Sequence, residues 1–184
     1  AGITLLSDVH ENTSYAPLKR ALVKIGMEET FLLRHGEVWM RRLAKAGGEA
    51  REFVQRAVDW MFPMTIEWFG LPDDMKRHSG QLDFKLKGLT NDQLRQVWMA
   101  STVPLCEELG LDAPAHWDED KSEYVLDYPF PCQYDAVEKH WAFDEGEISW
   151  DAVFERWKKR GPMNEIYVES VQRSRLDVQQ WLAA

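Results

Sequence analysis

Positions 18, 22, 25, 29, 32, 36, 39 and 43 of this 184-residue chain are Leu, Leu, Ile, Glu, Leu, Gly, Trp and Leu. The steps alternate between three and four, the repeat of a helix that buries one seam against its neighbours. A carboxylate inside such a seam constrains the fold more than any other feature. An ionised glutamate is costly to bury unless it is ion-paired, hydrogen-bonded or bound to a metal. Glu29 therefore needs a partner, and the rest of the chain has to place one beside it.

Two kinds of partner fit the spacing. In di-iron bundles two helices each supply a Glu and two others each supply Glu-x-x-His, whose i,i+3 spacing turns both ligands toward one metal pair. Glu29 occupies such a position, yet Leu32 stands at i+3, and none of the five histidines completes a Glu-x-x-His. Glu28 and His35 share a face two turns apart, about 10 Å by helix rise, too far to hold one ion. The other partner is an arginine, which would make Glu29 a structural carboxylate.

The surrounding pattern predicts helices. Residues 1 to 12 read as the end of one, and Ala1 begins inside an apolar pattern with no cap before it, so the sequence reads as a fragment. Ser14 is the expected N-cap of the seam helix, with Pro17 in its first turn and the Gly47-Gly48 pair at its end. A third helix follows, with Phe53, Ala57, Trp60, Met64 and Trp68 as the expected buried side and a kink at Pro63. Thr90 and Gln93 have the capping-box spacing for a helix reaching Leu109, with Gly110 beyond it. Residues 111 to 148, rich in Pro, Asp, Tyr and Trp, read as an extended arm with at most short strands, of the kind that wraps a neighbour. Ser149 or Asp151 caps a short helix, and Gly161-Pro162 precedes a last one.

The expected fold is all-α: a ferritin-like helical bundle half over residues 1–110, its N-terminal half missing, followed over 111–184 by a largely irregular arm and terminal helices. A net charge of −9 with dispersed basic residues argues against nucleic acid. No apolar run reaches the roughly 20 residues of a membrane span. Cys106 and Cys132 make neither a disulfide framework nor a CxxC metal site and fit a reducing, cytoplasmic setting. His116 and Glu119 have i,i+3 spacing only if their segment is helical, and an acidic loop there reads as solvated surface.

Four segments, SYAPLKRALVKIGMEETF, FP…FGLPDD, LKGLTNDQLRQ and TVPLCEELGLDAP, together resemble one family. It is the catalytic A component of phenylacetyl-CoA 1,2-epoxidase, the ring-epoxidising oxygenase of phenylacetate degradation, and the resemblance covers its C-terminal half. It implies a ferritin-like bundle holding two irons, a CoA-thioester substrate, a related structural subunit, and a reductase delivering electrons from NADPH. The family's last Glu-x-x-His falls on Glu29 and Leu32, so one iron ligand matches and its histidine does not; the others would precede Ala1. The family's substrate contacts fall on Lys76, Arg77, His78, Lys87 and Asn91. Cations at a helix N-terminus suit phosphate and pantetheine amides; the plain reading is that these lysines are solvated.

Two functions follow from this reading. One is a component of a di-iron monooxygenase, an oxidoreductase that epoxidises an aryl-CoA and works in an oligomer. The other is a non-catalytic scaffold or CoA-binding subunit that has lost its metal site.

Overall fold

The computed structural model describes residues 1–76, 80–135, 137–159 and 162–183, with the backbone alone at 159, 162–168, 177, 182 and 183. It divides into two compact units, residues 1–146 and 147–184. The first carries α1 (Gly2–Asn12), α2 (Ala16–Ala46), α3 (Gly48–Trp68), the one-turn α4 (Gly80–Asp83) and α5 (Asn91–Glu108). Strands β1 (Ala115–Asp118), β2 (Glu123–Leu126), β3 (Cys132–Asp135) and β4 (His140–Glu147) follow. The second unit holds α6 (Trp150–Lys159) and α7 (Pro162–Ala183). No described helix is long and apolar enough to cross a membrane.

Local chemistry explains where the helices start and stop. At α5 the Thr90 hydroxyl accepts the Gln93 N–H at 3.2 Å and the Gln93 side chain accepts the Thr90 N–H at 2.9 Å, the reciprocal pair the spacing predicts. Gly110, at φ +63°, follows its end. Ser149 caps α6 by accepting the Ala152 N–H at 3.2 Å. Ser14 behaves otherwise than expected. Tyr15 is the N-cap of α2, and the Ser14 hydroxyl donates instead to the Phe84 carbonyl, 2.9 Å away.

Short connections make α1 fold back along the first half of α2, and α3 along its second half. Ala44 of α2, Val54 of α3, and Cys106, Leu109 and Leu111 form one core cluster. Phe62 and Ile66 of α3, Met99 and Val103 of α5, and Ala115 form the next, with Trp98 tilted against Phe62 at 4.8 Å between ring centres. Tyr128, Cys132 and Trp141 form a third. In the second unit Trp150 and Val153 are buried and the rings of Trp150, Phe154 and Trp157 pack together on α6.

The arm does not run free. Ala115, Tyr124, Leu126 and Phe130 pack on the α3–α5 core of their own chain. β1 and β2 form an antiparallel hairpin that pairs Ala115 with Leu126 and Trp117 with Tyr124; β3 pairs with β4. Two glutamines fasten this region to the helices. Gln96 of α5 accepts the Tyr124 N–H and donates to the Tyr124 carbonyl, each at 2.9 Å. Gln55 of α3 does the same to Asp112, at 2.9 and 2.8 Å.

The buried stripes differ from those the periodicity selects. Of the expected α2 seam, Leu22 is buried and Leu18 and Glu29 are half-buried, while Ile25, Leu32, Gly36, Trp39 and Leu43 are exposed. On α3 Val54, Phe62 and Ile66 are buried, whereas Phe53, Ala57, Trp60 and Trp68 are exposed and Met64 is half-buried. The reason is that both helices are apolar on more than one face. Val23, Met27, Phe31 and Val38 mark a further exposed face of α2. A helix apolar on all sides is built to be surrounded, and in this chain each half of α2 has one helix folded back on it.

Candidate functional site

Lys76, Lys87 and Asn91 come together where α5 begins. Asn91 is buried in the first turn of α5; its amide donates to the Leu71 carbonyl at 2.9 Å and its Oδ1 accepts from Lys87 Nζ at 2.6 Å. Asp92, beside it, accepts the Asp73 N–H at 2.8 Å, and Lys76 Nζ lies 3.8 Å from the Asp73 carboxylate. The loop between α3 and α4 is thus stitched to the first turn of α5. Arg77 and His78, expected as further contacts, lie outside the described residues.

Lys87 departs from the plain reading of a solvated lysine, being only 8% exposed. Asn91 is the acceptor for one of its three ammonium protons, and among the described residues the other two have none. Burial pushes the Lys87 ammonium below the ordinary lysine range; Lys76 and Arg95 push the same way, against Asp8 and Asp73. Burial also lowers Lys76, with Asp73 and Asp92 opposing and Arg95 adding to the shift. Cations that give up hydration at a helix N-terminus, where the backbone dipole favours negative charge, form an environment suited to an anion.

Arg95 was not among the expected site residues, although its position four residues after Asn91, itself four after Lys87, places it on the same side of α5 as Asn91. It is 5% exposed. Its Nε donates to the Ile66 carbonyl at 3.1 Å, its other nitrogens hold the Gly70 carbonyl and the Asp92 carboxylate, and its guanidinium lies 5.0 Å from the Phe130 ring centre. One side chain therefore ties the C-terminal end of α3 to α5 and the arm. Asp8, also unanticipated, is buried on α1 and accepts from the backbone of Gly88 and Leu89.

Glu29 does lie in the gap between packed helices. It is half-buried, and its carboxylate sits against Gly2 so closely that a Cβ there would overlap it. The N-terminal end of α1 favours a negative charge at that point. No arginine pairs with Glu29 among the described residues, so the arginine expectation does not hold.

The iron set the resemblance implies can be tested on the donors present. Leu32, at i+3 from Glu29, is 59% exposed and carries no ligating atom. Among the described residues no group of three or more His, Cys, Asp or Glu is arranged to hold a metal ion. Two irons need several carboxylate and imidazole donors, and Glu29 is one carboxylate. The residues of this chain do not fit the group, so no step of oxygen chemistry is assigned to them. His116 is no ligand pair with Glu119 either: it lies on β1 and meets Asp127 of the same hairpin at 2.5 Å.

Residues 1–150 match the family model described as "Phenylacetic acid catabolic protein". The chain is 34% identical over 154 residues to the catalytic A component of the 1,2-phenylacetyl-CoA epoxidase of Escherichia coli (strain K12), an alignment that covers 83% of this chain and 45% of that protein. It therefore spans about half the length of the curated relative it matches.

Proposed function

Because this chain belongs to the phenylacetic acid catabolic protein family, we propose that it is part of a phenylacetyl-CoA epoxidase-type oxygenase and binds the CoA portion of the thioester through Lys76, Lys87 and Asn91. The observation that supports this reading is the buried Lys87 ammonium, held by Asn91 with two protons to spare. A phosphate or thioester-linked amide carbonyl offers the acceptors those protons lack, and charge-assisted bonds of this kind are stronger than neutral ones. Arg77 and His78 adjoin Lys76 in sequence and complete the candidate set.

The reaction proposed for the assembled enzyme is epoxidation of the aromatic ring: one oxygen atom of dioxygen enters the ring and the other leaves as water. Two electrons arrive from NADPH through a reductase subunit. The part assigned to this chain is recognition of the substrate's anionic handle, not activation of oxygen. The exposed apolar faces of α2 and α3 support a requirement for further helices around them, supplied by the rest of a longer protein or by a related structural subunit. Titration of the chain with coenzyme A by calorimetry tests the binding role. Lys87→Met should weaken binding by about tenfold or more, equivalent to about 1.4 kcal/mol; unchanged affinity overturns the assignment.

A second reading, a CoA-binding scaffold without oxygen chemistry, is favoured by one observation, leucine where the family pattern has its histidine. Metal analysis of the full-length protein with its partner subunit separates the two. Iron in stoichiometric amount together with epoxide formation supports the oxygenase, and absence of both supports the scaffold.

A further inference from the structure

We propose that Asp8, on α1, is the positioning residue of the anion site: it holds the segment that carries Lys87 and supplies the buried countercharge beside it. This rests on the ligand role proposed above for Lys87. The geometry comes from four bonds to one carboxylate. Asp8 is 6% exposed, and its oxygens accept the Gly88 N–H at 3.0 and 3.2 Å, the Leu89 N–H at 3.3 Å and the Asn12 amide at 2.9 Å. The fit is close, since a Cβ on Gly88 would overlap the Asn12 side chain. Glycine is the residue that lets the backbone approach α1 this far.

On the other side of Lys87, the turn after α1 makes two more tethers. The Ser14 N–H donates to the Lys85 carbonyl at 2.7 Å and its hydroxyl to the Phe84 carbonyl at 2.9 Å. Lys87 is thus bracketed by residues 84–85 and 88–89, both anchored to α1 and the turn that follows it, while Nζ reaches forward to Asn91. A buried carboxylate that receives only backbone and amide N–H groups remains charged without a salt-bridge partner of its own. Its field acts on the nearest buried cation. The charged groups acting on Lys87 are Lys76 and Asp73 from the loop after α3, Arg95 from α5 and Asp8 from α1. The two acids oppose what burial and the two cations do to the ammonium. Deleting the Asp8 charge removes part of that opposition.

The experiment follows the Lys87 side-chain carbon next to Nζ by NMR as a function of pH, assigned by its loss in Lys87→Met. Asp8→Asn keeps the shape and one acceptor but removes the charge. Its Lys87 midpoint should fall by about one pH unit, a tenfold change in proton affinity. Ser14→Ala removes a neighbouring tether without changing charge; it should lower the melting temperature and leave the midpoint in place. A midpoint unchanged in Asp8→Asn, or shifted equally in Ser14→Ala, overturns the proposal. A second measurement uses the unaltered chain: the Gly88 and Leu89 amides should exchange with solvent at least about a hundredfold more slowly than in an unstructured peptide, as buried bonded amides do. Exchange at the unstructured rate also overturns it. Neither readout involves coenzyme A. If coenzyme A fails to bind while the midpoint moves as stated, the ligand assignment falls and the Asp8–Lys87 coupling stands.

Discussion

Lys87 Nζ and Asn91 Oδ1 are 2.6 Å apart in a setting where both residues are buried, and the Asn91 amide simultaneously holds the Leu71 carbonyl. Asn91 is therefore a two-way bracket between a buried cation and the loop that follows α3. Asn91→Ala strips the acceptor from the ammonium and the donor from the carbonyl. Each buried polar group left unmatched costs about 1–3 kcal/mol, and more when it is charged. Urea denaturation should show a loss of about 2–4 kcal/mol; a loss within experimental error would remove Asn91 from the structural account.

Arg95 offers a similar test at a different joint. It engages the Ile66 and Gly70 carbonyls, Asp92 and the Phe130 ring. Arg95→Met keeps the length of the side chain and removes every donor, which should cost about 2–4 kcal/mol of unfolding free energy. Amide exchange should rise first at residues 67–71, where α3 ends, and an evenly distributed rise would show that the joint is not local.

Cys106 is fully buried as a free thiol, and burial, with Glu107 adding to it, raises its pKa to about 11. The neutral thiol is the form the folded state favours. Its stabilising contribution is complete below the unfolded value near 9, and is lost as pH rises from there through about 11. Cys106→Ala should therefore show a shallower decline of stability than the parent chain across that window. Iodoacetamide at pH 8 should leave Cys106 unmodified until denaturant is added; modification under native conditions would contradict the burial.

The exposed faces of α2 make the isolated chain adhesive. Phe31 is 70% exposed, and Met27, Leu32, Val38 and Trp39 lie open on the same helix. Apolar surface presented in this amount promotes association. Phe31→Glu combined with Met27→Lys should change the stability of the isolated chain by less than about 0.5 kcal/mol and reduce self-association measured by sedimentation velocity. Loss of the fold would mean that these side chains are buried within the chain itself.

Leu32→His restores the i+3 imidazole without restoring the other ligands. The substitution falls on an exposed position and should be nearly neutral for stability. Iron content of this chain measured by plasma emission should remain at background, since no described group of three or more ligating side chains stands ready to join it. Stoichiometric uptake would show that a ligand set assembles from residues the geometry does not bring together.

Much of the helical layout was legible in the sequence because its determinants are local. The Thr90–Gln93 pair, the Gly47-Gly48 break and Ser149 each act within a few residues of themselves, and each marks the boundary that the sequence predicts. The choice of buried face was not legible. Periodicity identifies apolar stripes, and on α2 and α3 several stripes compete; which one is covered depends on what else folds against it. The Lys76–Lys87–Asn91 grouping follows from the family pattern rather than from spacing. Asp8 gave no signal at all, because its partners are backbone N–H groups some eighty residues away. The strands of the arm are four to eight residues long, too brief for a two-residue alternation to stand out.

The paired bonds of Gln96 to Tyr124 and of Gln55 to Asp112 give each glutamine amide the role of a neighbouring strand. At Tyr124 the outward N–H and carbonyl of β2 are already satisfied at that point of the hairpin's rim. A foreign β-segment seeking to extend the hairpin there meets a lateral margin whose valences are taken. Two side-chain amides thus act as gatekeepers against fibril-like growth, leaving sideways recruitment to the helical faces.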